Sequence, residues 1–238
     1  MKIVKVRRIV AVASALGAVL IWLIANPESY EKIFVRAESE TAAEIQAEES
    51  GNGKLAIDVL EKLTVKGRAP KTGYARTEFY NGWPTVDGCS LRQRIIRREF
   101  GETAVLDGCT VVAGEYEEPY TGKYLKFSDK TEVSKIQIDH VVALSDAWQK
   151  GAQYFDKETR YKIATDPLNL LAVDGAANNQ KSDGDAATWL PSNKKFRCQY
   201  VARQVSVKYK YSLWVTEAEK TAIMKVLENC PTEPVVGV

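Results

Sequence analysis

The 238 residues contain a single histidine, His140, directly after Asp139 in the stretch QIDHVVAL. Imidazole titrates close to neutrality, so a lone histidine beside a carboxylate suits moving one proton or filling one ligand position among oxygens. Two more polar elements follow in chain order. Asn169 stands in DPLNLL, and Asn178 stands in ANNQKSD with Lys181 three positions on. Neighbours 139 and 140 project to opposite faces of a strand. One can hold a cation while the other faces an attacking water, provided the strand bends there. On a helix, Asn178 and Lys181 at i and i+3 share a face, so an amide oxygen and an ammonium can address the same phosphate. Other constellations are missing from the sequence. There is no G-x-S-x-G turn and no G-x-x-x-x-G-K-[ST] loop. A zinc hydrolase needs two or three histidine or cysteine ligands, which one histidine does not supply. A serine hydrolase pairing His140 with Ser145 lacks the strained turn that exposes such a nucleophile.

The surrounding elements must position these groups. Leu55, Val59, Leu60 and Leu63 recur at helical spacing, closed by Gly67 and Pro70. An aromatic, turn-rich stretch runs from Gly73 to Trp83. Leu91–Phe100 reads as a helix carrying Arg92, Arg94, Arg97 and Arg98, Thr110–Val112 as a short strand, and EEPYTG at 117–122 as a turn. A second strand is expected over Val133–Val142, with Asp139 and His140 near its end. A short helix follows at Ser145–Phe155, then a turn and brief strand at 166–173. Gly175–Trp189 reads as a loop that becomes a helix, stopped by Pro191. Tyr200, Val201, Val205 and Val207 mark a long amphipathic segment. T-E-A-E at 216–219 is a capping box that opens the last helix. Trp148 and Trp189 are expected in the core.

Composition adds bounds. With 45% hydrophobic residues the chain can bury a real core. The net charge of +2 comes from 33 basic and 31 acidic residues, and without Lys2, Lys5, Arg7 and Arg8 it is 29 against 31. Bulk charge therefore offers no case for nucleic acid. Those four cations precede an uncharged run of 17 residues, Ile9–Ala25, which marks residues 1–25 as a signal peptide or an N-terminal membrane anchor. Everything beyond is then expected outside the cytoplasm, secreted or held at the outer face of the membrane. Seven glutamates and the GNG at 51–53 make residues 26–53 a solvated linker. Cys89, Cys109, Cys198 and Cys230 include no C-x-x-C pair and read as two disulfides of an oxidising compartment. Of three possible connectivities the sequence-local one is Cys89–Cys109 with Cys198–Cys230. The expected architecture is one α+β domain, mostly helical, over 54–230, followed by a tail at 231–238.

Asp-His, then Asn, then Asn-x-x-Lys resembles the pattern of HNH, or ββα-metal, nucleases. More closely, the chain resembles exported bacterial proteins that carry the C-terminal domain of GmrSD-type restriction endonucleases. That resemblance rests on GYARTEF at 73–79, C-x-x-R at 89–92, the PYTG turn, IDHVVALSDAW, DPLNLLAV, N-x-x-K-x-D, WLP at 189–191 and the RCQY segment. It implies a metal-dependent endonuclease with His140 as general base. Asp139 and Asn178 would hold one divalent cation, Asn169 would fix the loop and the imidazole, and Lys181 would contact a phosphate. The oxygen ligands suit Mg²⁺, with Mn²⁺ or Ca²⁺ as alternatives. Asn179, adjacent to Asn178, is a competing ligand, and Glu118 stands where relatives often have Asp.

Two basic stretches, 92–98 and 194–210, can track a nucleic-acid backbone or form solvated helix faces. Arg92, Lys181, Arg197 and Arg203 are the expected nucleic-acid contacts. The reading is a monomeric exported nuclease of low sequence specificity, acting on DNA ahead of RNA, with the membrane as a partner only if residues 1–25 stay attached. A nucleic-acid-binding or surface module on the same scaffold is the alternative.

Overall fold

The helical spacing from Leu55 produces α1 (Ala56–Lys62), which buries Ala56, Val59 and Leu60. The computed structural model describes residues 53–237. The expected signal or anchor and nearly all of the linker therefore lie outside the described residues. Among those described, no helix is long and apolar enough to cross a membrane. Residues expected as a tail are part of the fold. Pro234 pairs with Leu55, the Val235 N–H donates to the Lys54 carbonyl at 3.0 Å, and Val235 is buried.

A first hairpin joins β1 (Thr85–Val86) to β2 (Cys89–Ser90) through Asp87 and Gly88, both at positive φ (49° and 77°), as a tight Asp-Gly turn requires. Helix α2 (Leu91–Phe100) then buries Leu91, Ile95, Ile96 and Phe100 on one face. A three-stranded antiparallel sheet follows, with β4 (Thr110–Glu117) between β3 (Val105–Asp107) and β5 (Tyr124–Phe127). Both D-G-C turns, at 87–89 and 107–109, are joined by the Cys89–Cys109 disulfide. The second bond is Cys198–Cys230, and no free cysteine remains among the described residues.

The expected strand at 133–142 is shorter than the apolar pattern suggests. Asp129 caps a helical turn by accepting from Thr131 and Glu132 N–H at 2.7 and 3.1 Å, and α3 (Lys130–Val133) forms there. Strand β6 is confined to Gln137–His140. Helix α4 (Leu144–Gln149) also ends early, at Gly151, whose φ of 127° no helix accommodates. Helix α5 (Lys157–Thr165), opened by Asp156, was not anticipated. The turn at Pro167–Asn169 leads into β7 (Leu170–Val173), antiparallel to β6. The next segment reverses its expected order. Asp174 accepts the Ala177 N–H at 2.8 Å, so α6 (Gly175–Lys181) comes first and the irregular stretch follows it. Helices α7 (Arg197–Lys210) and α8 (Glu217–Leu227) complete the α+β fold.

The β6–β7 ribbon sits between two packed clusters. Leu171 and Val173 face α1, α7 and α8, while Ile138, Leu170 and Ala172 face α2 and β4. Alternate positions of one short ribbon thus serve two cores.

A buried cage of six charges ties these parts together. Lys150, just after α4, reaches Asp146, Asp185 and Glu219, each at 2.7 Å. Lys208 of α7 reaches Asp146 at 3.1 Å and Glu219 at 3.0 Å. Arg68 joins from the rim to Asp146 and Asp185 at 3.0 and 2.7 Å. Three cations face three carboxylates, so the cage is neutral. The capping box is only half made: Thr216 accepts the Glu219 N–H at 3.2 Å, but the Glu219 carboxylate turns inward to the lysines.

Glu219→Ala is expected to cost about 3–5 kcal/mol by leaving two buried ammonium groups under-compensated. The readout is a lower urea midpoint at unchanged slope, and Lys208→Met in the same chain should restore part of it. Removing the Cys198–Cys230 bond by paired serine substitutions is expected to cost roughly 3–4 kcal/mol in the same assay.

Candidate active site

Strand β6 delivers Asp139 opposite Leu171 and His140 opposite Leu170. The two side chains leave on opposite faces, as an extended backbone dictates. His140 is 4% exposed, with the Tyr80 ring at 5.8 Å and the Trp83 ring stacked at 6.0 Å. Its Nε2 lies 2.9 Å from the Ala164 carbonyl. A carbonyl only accepts, so Nε2 carries a proton and the neutral ring keeps its lone pair on Nδ1. Burial strips water from the imidazolium and pushes the pKa down to about 3, and the charges of Arg76 and Lys181 act in the same direction. The ring is therefore neutral at physiological pH.

Asn169 holds the turn around this ring. Its Oδ1 accepts the Val142 N–H at 2.8 Å, and its Nδ2 donates to the Val142 and Ile163 carbonyls at 3.3 and 3.1 Å. The expected bond from Asn169 to the imidazole is replaced by an indirect one. Asn169 fixes the end of α5, and Ala164 of that helix fixes the ring.

Asp139, 6% exposed, accepts from Lys181 Nζ at 3.0 Å and from the Tyr120 hydroxyl. Burial pushes its carboxyl up, while the Lys181 ammonium draws it down. Lys181 also donates to the His140 carbonyl at 2.9 Å and is fully buried beneath the ribbon. The expected contact between Lys181 and a phosphate is thus displaced by an internal one. It locks α6 onto β6 at the two residues of interest. Asn178, one turn earlier on α6, donates from Nδ2 to Gln137 Oε1 at 2.8 Å, which leaves its Oδ1 free as an acceptor.

Asp139, His140 and Asn178 line one cleft of about 410 Å³, faced by Arg76 from the aromatic, turn-rich stretch and by Lys71 just before it. Asn179 lines it as well, so proximity does not separate the two asparagines; the Gln137 bond singles out Asn178 as the fixed one. Ser145 also borders the cleft, but its hydroxyl donates to Asp183 at 2.9 Å rather than meeting the imidazole.

The other expected nucleic-acid contacts have internal work. Arg92 donates to the Ile136 carbonyl at 2.7 Å, Arg197 to Pro191 at 2.8 Å, and Arg203 to Leu168 at 2.7 Å. Arg98 holds the Pro167 carbonyl at 2.9 Å. These guanidinium groups clamp the backbone that leads into β6, α7 and β7. Tyr120 was not anticipated as a member of the site. Its turn is held by Glu118, whose carboxylate accepts from Tyr120, Thr121 and Asp174 N–H at 2.9, 2.7 and 3.1 Å. The PYTG turn therefore supplies a direct partner of Asp139. Lys71, Arg76 and Tyr120 carry no periodic signal; Arg76 and Tyr120 stand in the motifs at 73–79 and 119–122, and Lys71 stands in neither.

No solved structure matches the chain. An uncharacterized secreted protein of Arthroderma benhamiae is 35% identical over 178 residues, covering 74% of this chain and 84% of the relative. That relative is fungal, so the expected bacterial setting is not carried by it. The two disulfides and a secreted relative fit an exported protein. Residues 92–226, more than half of the sequence, match the family of GmrSD restriction endonucleases, C-terminal domain. On that match the chain belongs to this nuclease-related family.

Proposed function

We propose that the protein is an exported HNH-type endonuclease that hydrolyses phosphodiester bonds of nucleic acid, DNA ahead of RNA, with low sequence specificity. The observation that carries this reading is the imidazole of His140, held neutral with Nδ1 unprotonated in the same cleft as Asp139 and Asn178. The succession of β6, β7 and α6 supports a ββα-metal core, since two paired strands lead into the helix, with Asp139 and His140 on the first strand and Asn178 on the helix.

The oxygens of Asp139 and Asn178 fit a hard divalent cation, magnesium first and manganese or calcium as alternatives. Asp139 already accepts two hydrogen bonds, but a carboxylate offers about four acceptor positions, so its pairing with Lys181 and Tyr120 leaves room for a cation. Such a cation would supply stabilisation of charge on the phosphoryl group and leaving oxygen. His140 Nδ1 removes one proton from the attacking water, whose oxygen bonds to phosphorus as the bond to the leaving oxygen breaks. Solvent returns a proton to that oxygen. Ala164 holds the ring in the required tautomer, and Lys181 and Tyr120 hold the carboxylate of Asp139.

Plasmid cleavage in Mg²⁺, Mn²⁺ or Ca²⁺ and its loss in EDTA test the reading. His140→Ala is expected to lower the rate by roughly 10²–10⁴-fold, the usual contribution of a positioned base. Binding of DNA without cleavage in any of these metals would reduce the protein to a binding module. The depressed histidine pKa has a second consequence. Between pH 6.5 and about 3 the unfolded chain protonates His140 while the folded one does not, so its contribution to stability declines as pH falls through that window. The expected slope is roughly 1 kcal/mol per pH unit, read by chemical denaturation as the difference between wild type and His140→Gln. Parallel curves for the two proteins would show that the ring titrates normally.

A further inference from the structure

Seven arginines that line or brace the structure, Arg68, Arg92, Arg94, Arg98, Arg160, Arg197 and Arg203, hydrogen-bond to a main-chain carbonyl or a carboxylate. Arg76 differs. It is exposed, it lines the cleft that holds Asp139, His140 and Asn178, and it forms no ion pair among the described residues. Its guanidinium is nevertheless fixed. Nε and Nη2 donate to the Tyr80 hydroxyl at 3.2 and 2.5 Å, and the group lies 5.2 Å from the centre of the Tyr80 ring. Tyr80 in turn packs against the imidazole, so one aromatic side chain sets both groups. Nη1 makes no hydrogen bond among the described residues. The other cation facing the cleft, Lys71, is already paired with Asp183 at 2.9 Å.

We propose that Arg76 is a substrate-binding residue that grips the phosphodiester at the cleft through its unpaired guanidinium edge. The proposal rests on the phosphodiester reading of the site. A guanidinium offers two parallel donors to two phosphate oxygens, a geometry an ammonium lacks. Its charge stands where negative charge grows during attack by water, so its removal lowers kcat more than it raises KM. Tyr80 is then a positioning residue, which aims Arg76 by its hydroxyl and shields His140 by its ring.

The test separates phosphate contact from mere support of Tyr80. Affinity of the full chain for a fluorescein-labelled single-stranded DNA oligonucleotide is measured in EDTA across a range of salt, with Arg76→Ala and Lys225→Ala beside the wild type. Lys225 is exposed on α8 and lies outside the cleft. Loss of one phosphate contact reduces the slope of log affinity against log salt by about one. Arg76→Ala is expected to show that reduction, and Lys225→Ala the wild-type slope. In Mg²⁺, cleavage by Arg76→Ala is expected to fall roughly 10²–10³-fold, mostly in kcat, with part restored in Arg76→Lys. An unchanged salt slope in Arg76→Ala overturns the proposal whatever the rate does, because a lost rate alone places Arg76 in support of Tyr80 and His140. No measurable binding by the wild type overturns it as well. A wild type that binds but never cleaves removes the endonuclease reading, while the slope still decides Arg76.

Discussion

The arrangement depends on five charges removed from water together, with Arg68 closing the group from the rim. Lys150 pairs with three carboxylates from three helical neighbourhoods and donates hydrogen bonds to two of them, Asp185 and Glu219, so it is satisfied only when α4, α8 and the stretch after α6 are all in place. Lys208 adds α7 to the same condition. An apolar core tolerates some sliding, since dispersion has little direction; a buried ammonium with three fixed carboxylate partners does not. Gly184 shows how tight the condition is. A Cβ there would lie 2.9 Å from the Lys181 carbonyl, yet the chain must turn at that point to carry Asp185 inward one residue later. Such cages are weak evidence for stability, and their better attested use is to specify one arrangement over others.

That specification reaches the cleft through α6. Its last residue, Lys181, ties Asp139 and the His140 carbonyl, and Asp185 in the cage begins four residues beyond. The candidate site is therefore built in layers. Carbonyls and an amide hold the imidazole; an ammonium and a phenol hold the carboxylate; the cage holds the helix that provides the ammonium. Lys71, Arg76 and the asparagines form the outermost layer around the cleft that Asp139 and His140 also line.

Much of this was legible in the residues and some was not, for physical reasons. The apolar spacing of Leu91, Ile95, Ile96 and Phe100 and the Thr216 cap located α2 and α8 because both signals are local. The sequence-local disulfide pairing also holds. The alternation of Ile136 and Ile138 does not extend back to Val133, which stands three positions from Ile136; there the Asp129 side chain captures two N–H groups and turns the backbone. The helix after Asp156 was passed over because its face toward the core is narrow, with Ile163 and Ala164 buried. The roles of the cations were the least legible. Nothing in a run of lysines and arginines tells which will meet a carbonyl forty or seventy positions away, as Arg92 and Arg98 do. Lys181 does share a helix with Asn178, yet its burial could not be read from spacing. The N-x-x-K pattern fixes direction on a helix, and the depth of that helix in the fold is a tertiary fact.

The pairing of Leu55 with Pro234 bears on the order in which the molecule can be completed. Helix α1 leaves the ribosome first among the described elements, but its partners are α7, α8 and the last few residues of the fold. Until those arrive, its apolar face has nothing to cover it, and the closing contacts carry the loop-closure cost of nearly the whole domain. Vectorial emergence therefore cannot yield a finished fold by stages from the amino end. A chain threaded through a translocon stays incomplete until its carboxyl end is delivered, and assembly of the Lys150 cage, which needs Glu219, falls under the same delay.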